Sequence, residues 1–197
     1  MAFKLKFLAM AAACCGSIGA HASVLWNEAD NGDLANDGLS PTTLLVSSGS
    51  NRIVGSTGNS GSGVDRDYFS FTVPTGFVLD AIRLLDNTSV SGGSSFIAIQ
   101  AGPQLTVSTT GAGVENLLGF THYGNDLIGT DLLPTMAIKF AGALPSGVYS
   151  IWVQETGGPA SYGLDLNISA VPEPAGCAML LAGLGLLGLA RRSGTRT

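Results

Sequence analysis

Along residues 68–73, 96–101, 148–153 and 162–168 the side chains fall into two interleaved sets, and clusters of Gly, Pro, Asn or Ser break the pattern. A period of two places alternate residues on opposite faces of an extended strand. Strands that are apolar on one side bury it by pairing into a sheet and packing against a second layer. Phe69, Phe71 and Val73 alternate with Tyr68, Ser70 and Thr72; Ile97, Ile99 and Ala101 alternate with Phe96, Ala98 and Gln100. Tyr149, Ile151 and Val153 share one face and leave Trp152 on the other, while Tyr162, Leu164, Leu166 and Ile168 form a fourth row. Shorter candidates lie at 44–47, 52–55, 78–85, 117–121 and 136–140. Eight or nine short strands, without a 3.6-residue period or an internal repeat, predict an all-β fold: an antiparallel β-sandwich of jelly-roll type.

Two segments flank that body. Residues 1–22 combine Lys4 and Lys6, an apolar run from Phe7 to Cys15, and Ala20-His21-Ala22. A cationic start, a short apolar core and an A-x-A site make a secretory signal peptide, for export machinery and a signal peptidase. Residues 171–197 open with Val171-Pro172-Glu173-Pro174, continue through a charge-free run from Ala175 to Ala190, and close on Arg191-Arg192. Sixteen helical residues reach about 24 Å, which flanking residues extend toward a hydrocarbon core of about 30 Å. The expectation is a single membrane-spanning helix with the arginines on the cytoplasmic side and the body facing outward. Gly183 to Gly188 fits G-x-G-x-x-G, but that motif needs a strand before it and a helix after it in a nucleotide-binding unit. In this run the glycines suit close helix packing.

The ends also divide the charge. Residues 23–170 hold four basic residues (Arg52, Arg66, Arg83 and Lys139) against thirteen Asp and Glu, a net −9 where the whole chain has −5. Such a body repels phosphates, which excludes nucleic acid as a partner. Cys14, Cys15 and Cys177 all lie in the flanks, so the exported domain must hold without disulfides.

The tail, with its Val171–Pro174 motif, charge-free run and terminal arginine pair, resembles the PEP-CTERM sorting signal of Gram-negative bacteria that make extracellular polysaccharide. That resemblance implies recognition by an exosortase, a transient hold on the inner membrane through the uncleaved tail, and a final place at the cell surface or in the extracellular matrix. The body resembles bacterial pre-peptidase C-terminal domains. The residues that carry this are Glu28, Gly32-Asp33-Leu34, Asp65-x-Asp67-Tyr68-Phe69-x-Phe71-x-Val73-Pro74-x-Gly76, Gly147-Val148-Tyr149 and Tyr162-x-Leu164. The likeness implies a non-catalytic sandwich, in a class where some members bind calcium or fibrous substrates.

Candidate chemistry is sparse. Glu28, Asp30 and Asp33 bring oxygen ligands together, and Asp65 and Asp67 join them if the first strand runs beside the sixties; calcium accepts six to eight such oxygens from loops. The same residues also suit a solvated acidic loop with Asx turns. Trp26, Tyr123 and Trp152 are candidates for stacking on sugar rings, although aromatic residues in strands more often pack. His122, the single histidine of the body, has no G-x-S-x-G elbow to serve and no second imidazole or thiolate for zinc. The expectation is a non-enzymatic structural or interaction protein, with an exopolysaccharide-binding module as the alternative and a secreted hydrolase third.

Overall fold

A computed structural model describes residues 23–61, 63–136 and 142–171. Among the described residues nine strands build the body: β1 (Ser23–Asn27), β2 (Thr42–Leu44), β3 (Gly49–Asn59), β4 (Val64–Val73), β5 (Phe77–Leu84), β6 (Ser95–Ala101), β7 (Leu117–Tyr123), β8 (Gly147–Gln154) and β9 (Ala160–Ala170). One short helix, α1 (Glu28–Asn31), follows β1, and its Asn27 cap accepts the Ala29 N–H. One layer runs β5-β9-β3 with β1 beside β3, and the other runs β4-β8-β6-β7 with β2 beside β4. A short hairpin joins them, pairing Gly58 with Asp65 and Asn59 with Val64. The fold is an all-β sandwich.

The alternation seen in the sequence sets the two inner faces. Phe69, Phe71, Ile97, Ile99, Ile151 and Val153 of one layer meet Ile53, Leu79, Ile82, Leu164, Leu166 and Ile168 of the other in one buried cluster. Burying such side chains contributes about 1.5–3 kcal/mol each, so this layer of contacts stands in for the missing disulfides. Trp152 lies on the outer face, as its place in the alternation requires, within a second cluster with Tyr68, Ala98, Leu105, Val107 and Leu117.

Several boundaries differ from the sequence expectation. The strand expected at 52–55 extends over Gly49–Asn59 because Asn51 is buried, its amide donating to the carbonyls of Ser47, Gly49 and Leu166. A satisfied polar side chain at an inward position hides the alternation. The candidate at 44–47 pairs only over Thr42–Leu44, and Leu45 leaves the sheet 86% exposed. β1 and β2 pair in parallel with β3 and β4, a departure from a purely antiparallel sandwich. Each of these pairs is separated in sequence by a crossing between layers, which lets both strands run in one direction. The candidate strand at 136–140, apart from Met136, lies outside the described residues, as do the leader at 1–22 and the tail from 172 onward.

The strands also give the sandwich two distinct ends. Val73 pairs with Gly147, Leu44 with Phe71, Ala101 with Tyr149 and Phe77 with Ala170, so these termini gather at one end. Val171 belongs to that end too, its N–H donating to the Gly76 carbonyl at 2.8 Å. At the opposite end Val64 and Asp65 begin β4, Thr57 pairs with Ala160, and Arg66 pairs with Gln154.

Candidate functional site

At the Asp65 end, the N-terminal segment crosses over the mouth of the sandwich. A carboxylate oxygen from each of Glu28, Asp33 and Asp67 lies within 4.8 Å of the other two. The segment is positioned by Glu28, whose Oε2 accepts the Ser56 N–H at 2.7 Å and the Ser56 hydroxyl at 3.2 Å. Trp26 Nε1 donates to the Gly32 carbonyl at 3.1 Å and folds the chain back just before Asp33.

Asp67 comes from the other side. The inward-facing positions of β4 read Asp67, Phe69, Phe71 and Val73, so the period that buries three apolar side chains buries a carboxyl with them. Asp67 is 0% exposed, and neither of its carboxylate oxygens has a hydrogen-bond partner. The hydroxyl of the equally buried Tyr162 has none either. Burial pushes the Asp67 carboxyl up to about 9; the adjacent Tyr162 hydroxyl opposes this rise, and the negative charge of Glu28 adds to it. Burial, then the charge of Asp67, raises the Tyr162 phenol well above its ordinary value.

A second buried carboxylate shows how unusual this is. Glu155, 3% exposed, accepts the Thr156 and Gly157 N–H groups on one oxygen and the Ser91 N–H and Ser95 hydroxyl on the other. Buried polar groups ordinarily find such partners, and one left without them costs about 1–3 kcal/mol. Protonation would remove the charge of Asp67 and make it a donor toward Glu28, the contact that helps to raise it. A bound cation would instead let all three carboxylates stay charged and give each an electropositive partner.

Gly55 keeps the space open. A Cβ there would stand 2.6 Å from the Tyr162 hydroxyl and 2.8 Å from Glu28 Oε1. Neither Gly55 nor Tyr162 stands out in the sequence, because both enter the site through the pairing of β3 with β9, where Gly55 faces Tyr162. Of the five acids singled out by sequence, Glu28, Asp33 and Asp67 converge. Asp30 turns away and accepts from Asn27 Nδ2 at 2.7 Å, while Asp65 accepts from Asn36 Nδ2 at 3.3 Å. Burial, reinforced by the charges of Asp33 and Glu28, still raises the Asp65 carboxyl above its usual range.

The three aromatic residues singled out by sequence do not share a surface. Tyr123 is buried in the inner core, and Trp26 packs at its margin. Trp152 is 5% exposed on the outer face, stacked 5.7 Å from Tyr68 and edge-on to Phe96 at 4.8 Å, with an unpartnered indole N–H. Beside it lies an open cleft of about 230 Å³ whose walls include Phe96, Phe120, His122 and Gln154. The His122 ring meets Phe96 edge-on at 5.4 Å.

Residues 170–196 match the family model of the PEP-CTERM protein-sorting motif. The chain is thus an exported protein with a sorting signal handled by an exosortase. Val171, Pro172, Glu173, Pro174, Arg191 and Arg192 all fall inside the matched range. No curated protein matches the chain. Among the described residues no helix is long and apolar enough to cross a membrane.

Proposed function

We propose that the mature protein is a non-enzymatic module of the cell surface or extracellular matrix, held in its working form by calcium at Glu28, Asp33 and Asp67. The observation that carries this reading is the buried Asp67 carboxylate without a partner, aimed at two further carboxylates. The ligand set is oxygen only, which suits a hard cation, and calcium tolerates an irregular site completed by water. The ion would tie the segment carrying Glu28 and Asp33 to β4, and so fasten the first eleven residues of the mature chain to the sandwich. Calcium at 100 times its dissociation constant adds about 2.7 kcal/mol to a fold that alone binds it, a rise of roughly 5–10 °C in Tm for a domain this size. Thermal melts of the mature protein with calcium and with chelator test this; identical midpoints refute it.

A second reading, binding of matrix polysaccharide, is favoured by the outer cleft, where the Phe96 and Phe120 rings lie beside the unpartnered Trp152 N–H. Co-sedimentation with the polysaccharide, weakened by Phe120→Ala without a change in Tm, would support it. Equal co-sedimentation of both proteins would remove it.

A further inference from the structure

The end of the sandwich from which the tail departs is poor in charge among its described residues. Residues 45–48, 74–77, 102–103, 142–148 and 170–171 hold no Asp, Glu, Lys or Arg, and Glu115, two positions ahead of the Leu117 that pairs with Gln100, is the acid beside them. In a body with thirteen acids this is a strong segregation. The first charged residue on β5 is Asp80, three positions in from Phe77, and it is held by the Asn167 amide at 2.7 Å. Three of the six exposed large apolar side chains cluster at this end: Leu45 at 86%, Val171 at 49% and Val148 at 39%.

The connection to the tail fixes what faces this surface. The β9 ladder runs to Ala170 opposite Phe77, and Val171 is tied to Gly76, so the ordered body reaches the first residue of the sorting motif. The charge-free run begins at Ala175, four residues beyond Val171. Four fully extended residues span at most about 14 Å. Wherever Ala175 enters the hydrocarbon, this charge-poor end therefore stands within the headgroup layer or against it. Charged groups at that depth would be costly, whereas scattered apolar side chains gain from it.

We infer that this charge-poor end, tipped by Leu45, Val148 and Val171, is a lipid-facing surface that seats the sandwich on the bilayer while the tail is uncleaved. This rests on the reading that residues 175–190 enter the membrane. The seat directs the opposite, acidic end outward and holds the Pro172–Pro174 segment at the membrane surface, where a membrane-embedded processing enzyme works. Removal of the tail leaves only these few side chains in contact, too little for stable anchoring, so processing releases the body.

The test uses the full chain from Ser23 to Thr197 in phosphatidylethanolamine–phosphatidylglycerol vesicles containing brominated acyl chains. Tryptophan is introduced singly as Leu45→Trp, Val148→Trp and, as a comparison at the opposite end, Asn59→Trp, an exposed position paired with Val64. The expected result is that Leu45→Trp and Val148→Trp lose fluorescence to the bromine, while Asn59→Trp and the native Trp26 and Trp152 do not. Carbonate extraction of the same vesicles reports separately on the tail. Protein that resists extraction but shows no added quenching at 45 and 148 overturns the lipid-facing surface alone. Protein that is extracted overturns the membrane reading of the tail and the seat with it. Quenching-insensitive side chains that become shielded only when an exosortase is co-reconstituted would assign this end to the enzyme, against the inference.

Discussion

The two ends of this sandwich are built from the same strands and treated in opposite ways. At one, β4 carries Asp65-Arg66-Asp67 just after its first residue and the N-terminal segment adds Glu28 and Asp33, so that carboxylates crowd until one is buried without a partner. At the other, β4 closes on Val73, β9 closes on Ala170, and the described loops are poor in charge. The core runs between the two, with Leu44, Val73 and Leu144 closing it at the tail end and Leu34 at the acidic end. On the proposed readings, charge here is placed by what each end meets: cations and water on the outer side, and lipid on the side from which the tail leaves.

The sharpest way to break the contrast is to remove the cation. Chelation at neutral pH should lower stability by about 2–3 kcal/mol where calcium had been near saturation, and Asp67→Asn should abolish that difference. Chemical denaturation with and without chelator measures both. A comparable loss is expected from Gly55→Ala, because the added Cβ strikes the Tyr162 hydroxyl and Glu28; overpacking of this kind costs about 1–3 kcal/mol. Unlike an ordinary core defect, it should also erase the calcium response, which melts at varied calcium would reveal.

In chelator, pH separates the ends further. The Asp67 carboxyl rises from an ordinary 3.8 to about 9 on folding, so between those values the folded chain binds a proton that the unfolded chain does not. Its contribution to stability is complete below about pH 4 and is lost progressively as pH rises toward 9. Asp67→Asn should flatten this part of the profile, as denaturation midpoints across that range would show. The smallest effect belongs to the charge-poor end. Leu45→Asp adds a charge at an 86% exposed position and should change stability in solution by no more than about 0.5 kcal/mol, while weakening retention on vesicles. A large loss of solution stability would mean that this end packs against protein rather than lipid.

Much of the fold was legible because its strands obey the period of two at Phe69 to Val73, Tyr149 to Val153 and Tyr162 to Ile168. β1 was not, since five residues leading into an acidic loop present no long alternation and gain their order by pairing with β3. Within the candidate site, Glu28, Asp33 and Asp67 could be named from sequence because carboxylates are conspicuous. Their separation from Asp30 and Asp65 depends on the Asn27 and Asn36 amides, and the contributions of Gly55 and Tyr162 depend on a register between distant strands. Period alone placed Asp67 on the same face as Phe69, which marks it as inward before any contact is known. The aromatic cleft was concealed for a related reason: Trp152 was visible, but Phe96 and Phe120 join it only through the pairing of β6 with β7 and β8.

The central claim is that Asp67 lacks a partner because its partner is a cation. Calorimetric titration of calcium into the mature protein at pH 7, in two buffers of different ionisation enthalpy, tests it most directly. The account predicts one ion bound per chain with release of about one proton, the one that Asp67 holds when metal-free, and no binding by Asp67→Asn. Binding that survives unchanged in Asp67→Asn, or no binding at millimolar calcium, would contradict it.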